Sequence, residues 1–179
     1  MKTFIASGIA AAALVSAASA DVTYSFTSHT WTGFNFNEAY AAGSLTGTLT
    51  GVTVNATLTA SSGFTYADDL CVYINPSPLS LGGLLQVGGF SNLNATQRYS
   101  WANGGSSAPG TTVTGTKTLT TGIDMAANPL QSIWVGNGYG AAGTSGTWTG
   151  TITLIGVVPA PGAVALLGLA GLTGRRRRA

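Results

Sequence analysis

Apolar and polar residues alternate with a period of two along several stretches of this chain. Val52, Val54, Ala56, Leu58 and Ala60 fall on one side of an extended backbone, with Thr53, Asn55, Thr57 and Thr59 on the other. The same period runs through Val22, Tyr24 and Phe26, and through Trp148, Gly150, Ile152 and Leu154 opposite Thr147, Thr149, Thr151 and Thr153. Successive side chains of a strand point to opposite faces, so each run predicts a half-buried strand. Leu70 to Ile74 is continuously apolar instead and predicts an inner strand.

Turn-forming clusters separate the runs: Ala60–Gly63, Asn75–Pro78, Asn103–Gly110 and Gly136–Gly140. No part of the body carries a helical stripe. Short alternating strands at this spacing predict two packed antiparallel sheets, an all-β sandwich of jelly-roll or immunoglobulin-like kind, without revealing strand order. Gly47 and Gly51 interrupt the stretch from Ser44 to Ala60, marking either a bulge or a hairpin turn, and two strands meeting near Gly51 are expected. The threonine-rich run from Thr111 to Thr121 is expected as a solvent-facing hairpin arm, with Lys117 guarding an exposed edge.

Both ends break the pattern. Met1-Lys2-Thr3 is followed by an apolar, alanine-rich run from Phe4 to Val15, then by small residues at Ala18 and Ala20 before Asp21. That is the layout of a secretory signal peptide over residues 1–20. At the far end, Val158-Pro159-Ala160-Pro161-Gly162 precedes an uncharged segment rich in alanine and leucine, then Arg175, Arg176, Arg177 and Arg178. Proline fixes φ and lacks an amide donor, so the preceding strand is expected to stop before Pro159 and leave an accessible, extended segment. The apolar segment suits a hydrophobic helix and is shorter than the roughly 20 residues that span a bilayer comfortably. The arginines resist translocation. The expected division is a signal peptide at 1–20, a β-sandwich domain at 21–156 and a sorting signal at 157–179.

This pairing of ends resembles the bacterial PEP-CTERM proteins, with Ala160 where that family usually carries an acidic residue between the prolines. The resemblance implies export by the secretion machinery and recognition by an exosortase, a membrane transpeptidase. It also implies delivery to the cell surface or an extracellular polysaccharide matrix, with the tail helix as a transient or stable anchor. Within the body, Val52–Thr59, Tyr66–Ile74 and Gly146–Leu154 resemble strands of the P domain that accompanies subtilisin-like convertases, which implies a jelly roll.

Charge narrows the partners. The net charge of the whole chain is +2, yet Lys2 and the four arginines lie in the end segments. Between them, five acidic residues face only Arg98 and Lys117, which leaves no basic surface for nucleic acid.

Candidate chemistry is sparse. Asp68 and Asp69 are the only adjacent acids, and such oxygens at a loop edge either bind Ca²⁺ or cap a turn; otherwise no cofactor is implied. His29 is the only histidine and Glu38 the only glutamate, so a hydrolase would need one of them, or the Asp68/Asp69 pair, to converge with others in a cleft. Cys71 has no cysteine partner and is expected to be a buried, inert thiol. Asn55-Ala-Thr57 and Asn94-Ala-Thr96 fit the glycosylation sequon, a pattern common by chance in a threonine-rich chain. Among the aromatics, Trp134 and Trp148 follow the strand period and point to the core, whereas Trp101 and Tyr139 border glycine- and asparagine-rich loops and are the candidate platforms for sugar rings. The expectation is a non-catalytic exported protein with a structural or adhesive role. The alternatives are a carbohydrate-binding module of the exopolysaccharide matrix and a secreted hydrolase.

Overall fold

The computed structural model describes residues 21–78 and 80–162. The expected signal peptide, with Ala18 and Ala20, lies outside the described residues, as do the apolar tail and Arg175–Arg178. Nine strands follow one another: β1 (Val22–Thr32), β2 (Phe36–Tyr40), β3 (Leu45–Ser62), β4 (Leu70–Asn75), β5 (Leu85–Val87), β6 (Gln97–Tyr99), β7 (Thr112–Asp124), β8 (Ser132–Asn137) and β9 (Ser145–Pro159). A 3-10 turn, Ala67–Asp69, precedes β4. The strands form two sheets, ordered β1-β9-β3-β7 and β2-β8-β4-β5-β6. All pairings are antiparallel except β5 with β6. The inner faces share one core, in which Val54, Leu58, Ile152 and Leu154 of the first sheet belong to the same cluster as Val72, Ile74, Leu85 and Val135 of the second.

Bulges account for the places where the period of two fails. In β1, Val22 and Phe26 are buried, and then the register shifts between Phe26 and His29, with Ser28 at φ 47°. The extra residue moves inward-facing positions from even to odd numbers, so Trp31 enters the core against Phe26 and Trp148. β3 also changes phase near Gly51, where its register shifts against β7 between Leu49 and Gly51 and against β9 between Gly47 and Gly51. Leu45 and Leu49 point inward before it, and Val52, Val54, Ala56 and Leu58 after it, within one continuous strand. The expected pair of strands meeting at Gly51 is therefore corrected to one bulged strand.

Two further expectations are corrected. β7 is an edge strand paired with the distant β3, not an arm of a local hairpin. The sheet also continues past residue 156: Val157 is fully buried, Val158 pairs with Thr46 and Pro159 with Leu45, and the Ala160 amide donates to the Ser44 carbonyl at 2.8 Å. Pro159 is tolerated because β1 stops pairing with β9 at Leu154, so this end of β9 is an edge with β3 as its neighbour.

β4 is fully buried, as a central strand should be. Its inner residues join the main core, while Cys71 and Tyr73 on the outer face pack with Phe36 and Leu93 in a second cluster. The segment between β5 and β6 supplies Leu93 and so roofs this face.

Candidate functional site

Three loops converge at the leading end of β4. The turn before it carries Phe64, Tyr66, Asp68 and Asp69. The loop after β5 carries Gly88, Gly89 and Phe90, and the loop after β8 carries Gly138 and Tyr139. Backbone bonds tie them together: Gly89 donates to the Asp68 carbonyl (3.0 Å), Gly138 to the Asp69 carbonyl (2.8 Å), and Ser91 to the Gly138 carbonyl (2.8 Å). The glycines permit this approach. A Cβ on Gly138 would lie 2.5 Å from the Gly89 Cα, and Gly89 itself has φ 76°. Because the backbones meet without side chains between them, the rings of Phe90 and Tyr139 stand edge to face with centroids 5.5 Å apart.

The result is an aromatic cavity of about 160 Å³ lined by Phe64, Tyr66, Phe90, Tyr139 and Asp69. Three of these rings are among the most solvent-exposed large hydrophobics of the described residues: Phe64 is 78 % exposed, Phe90 74 % and Tyr66 40 %. Phe64 also sits at φ 62°, directly after Gly63 at the same angle. A bulky residue in the left-handed region is strained, and here no burial of the ring compensates.

Asp69 forms the floor. It is buried, its Oδ2 accepts the Tyr66 amide at 2.7 Å, and that bond closes the 3-10 turn. Burial pushes its carboxyl up to about 6, with the neighbouring Asp68 charge acting in the same direction; the Tyr66 and Phe90 amides facing it pull the other way. Asp68 is half-buried, and burial raises its carboxyl too. A wider cleft of about 350 Å³ shares Tyr66, Asp69 and Phe90 with this cavity and adds Asp68, Arg98, Ser100 and Trp101. The Arg98 guanidinium is held there by the Phe90 carbonyl, which accepts from Nη2 at 3.1 Å.

Of the two expected sugar platforms, Tyr139 lines the cavity and Trp101 is corrected. Trp101 is 7 % exposed, and its indole N–H donates to the Leu70 carbonyl at 2.7 Å, so it braces β4 rather than offering a face. The other indoles are likewise anchored: Trp31 donates to Asn37, Trp134 to the Asn75 carbonyl and Trp148 to the Ala67 carbonyl. Phe64, Tyr66 and Phe90 carry no periodic pattern that marks them as platforms; their one sequence signal is the Gly63-Phe64 and Gly89-Phe90 pairs, each placing an aromatic immediately after a glycine.

The remaining candidates lie apart from this cleft. His29 Nε2 bonds to Asn37 Oδ1 at 2.9 Å and its ring packs on Trp31, while Glu38 is exposed on β2. Neither lines the cavity that holds Asp69. Cys71 is buried, and burial pushes its thiol up. Among the described residues no third acidic, histidine or cysteine side chain joins Asp68 and Asp69 as a metal-binding group. Also among the described residues, no helix is long and apolar enough to cross a membrane. Of the expected sorting segment, Val158 and Pro159 belong to β9, Ala160 is tied to Ser44, and Pro161 and Gly162 are exposed. Asp21, at the expected cleavage point, is exposed and accepts the Gly156 amide at 3.1 Å.

Comparison with known proteins finds no matching family model, no matching curated protein and no matching solved structure.

Proposed function

We propose that this chain is an exported, surface-sorted adhesion protein without catalytic activity, whose β-domain holds saccharide chains of the cell surface or extracellular matrix in its aromatic cleft. The observation that carries this reading is the group of exposed rings of Phe64, Tyr66 and Phe90 around a defined cavity. Aromatic rings kept in water on a rigid sheet end lose that cost when a sugar ring stacks on them. The carboxyl groups and Ser100 of the adjoining cleft supply partners for hydroxyls. The non-catalytic reading is supported by the separation of His29 and Glu38 from the cleft and by the capping role of Asp69.

In this reading the two-sheet domain is jelly-roll-like, preceded by a signal helix whose removal leaves Asp21 as first residue. It is followed by a hydrophobic tail helix that an exosortase-type transpeptidase recognises through Val158–Gly162, with Arg175–Arg178 halting translocation. The body requires no cofactor. A Ca²⁺ role for Asp68 and Asp69 is the weaker alternative, because Asp69 already serves the turn.

Mass spectrometry of the protein from its source cell is expected to find an N-terminus at Asp21 and loss of the arginine cluster. An intact, cytosolic 1–179 chain would refute the export reading. Saturable retention on matrix polysaccharide, abolished by Phe90→Ala, tests the adhesive one.

A further inference from the structure

The narrow end of the cleft has a composition beyond what a neutral sugar requires: four aromatic rings, two of them tyrosines, around one carboxylate, with no cationic side chain. We propose that this end is an aromatic cage for an ammonium group, and that its occupant is the amino group of a deacetylated hexosamine unit in an extracellular polysaccharide. The inference rests on the saccharide-binding reading above and specifies the sugar.

Ring faces carry negative quadrupole charge, and several of them around a desolvated cation act together. Phe90 and Tyr139 already meet edge to face, so the cavity wall is organised before a ligand arrives. Asp69 beneath them supplies the counter-charge, and Asp68 adds a second carboxylate just outside. The domain as a whole is acidic, with Arg98 and Lys117 its only cations between the end segments. Charge therefore favours a cationic ligand at long range as well as in the cage.

Arg98 sets the orientation. Its guanidinium lines the wider cleft and not the cage. An ammonium is repelled from that side and directed to the rings, while the hydroxyls of the same chain face Asp68, Ser100 and Arg98. An amino sugar uses both halves. Choline, with a single hydroxyl, would leave most of the polar half unused.

The test is calorimetric titration of the full chain with a glucosamine tetramer, an N-acetylglucosamine tetramer and choline chloride. The glucosamine tetramer is expected to bind at least tenfold more tightly than either of the others. Phe90→Ala, an exposed position whose truncation leaves the core intact, should weaken it at least tenfold. Asp69→Asn should abolish the preference for amine over acetamide, since the amide oxygen can keep the Tyr66 bond while the charge is lost; unchanged near-ultraviolet circular dichroism verifies that each variant is folded. Equal binding of the two tetramers overturns the ammonium cage and leaves the saccharide reading standing. Choline binding as tightly as the glucosamine tetramer overturns the amino sugar as occupant. No binding of either tetramer overturns both readings.

Discussion

Asp69 joins the local fold to the site. Its carboxyl closes the 3-10 turn and floors the aromatic cavity, and burial raises its pKa from the ordinary 3.8 to about 6. A carboxyl with a raised folded-state pKa holds more protons folded than unfolded between those values. Its contribution is therefore fully present below about pH 4 and is lost as pH rises through 6. Asp68 shifts in the same direction, and Arg98 is the one cation lining the shared cleft. Urea denaturation should show stability falling across this window by about 2 kcal/mol once solvent screening is allowed for, and Asp69→Asn should flatten the profile. Phe64 makes a second residue-scale case. Held at φ 62° and mostly exposed, it costs the fold about 1 kcal/mol. Phe64→Gly should raise the thermal midpoint while weakening saccharide binding, which is the opposite of what a structural aromatic would do.

At the scale of elements, the cleft depends on loops that approach one another backbone to backbone. Gly138→Ala places a methyl group against Gly89 and the Cys71 side chain. The expected outcome is a loss of about 1–3 kcal/mol by thermal denaturation, with reduced ligand affinity because the Phe90 and Tyr139 rings are driven apart. The alternation in β1, β3 and β9 was legible because one face of each strand meets the core and the other meets water. Where a bulge intervened, the sequence displayed the phase change but not its cause. Leu45 and Leu49 are out of step with Val52 and Val54, which reads equally well as a turn or as a one-residue insertion within a strand. Only the partner strands decide. β9 and β7 continue on both sides of Gly51, so the backbone there has neighbours to pair with and does not turn back. β6, three residues of mixed polarity, gave no periodic signal, and its parallel pairing with β5 is purely a matter of position in the sheet.

For the whole molecule, the C-terminal boundary is where the proposed sorting segment and the fold overlap. Val157 is buried, and pairing continues to Pro159, so the domain needs residues that the proposed segment also contains. A chain ending at Pro161 should match the full-length domain in stability. A chain ending at Gly156 should lose about 2 kcal/mol, chiefly through the exposed Val157 site and the unpaired end of β3, as equilibrium unfolding would show. Cleavage is accordingly expected at or beyond Pro161. The sequence alone determined the class of fold, because burial of alternate residues is a local property of an extended chain. It also determined the negative charge of the body and the uncharged segment followed by four arginines, because these are sums over residue types. Tertiary structure alone decided which aromatics face water. Trp101 borders a loop in sequence yet is drawn under it by the Leu70 carbonyl, while Phe64, Tyr66, Phe90 and Tyr139 arrive from three separate loops. Their meeting depends on the side-by-side order of β8, β4 and β5 and on three glycines that let the backbones touch, and no local pattern in a chain encodes which of its distant segments will be neighbours.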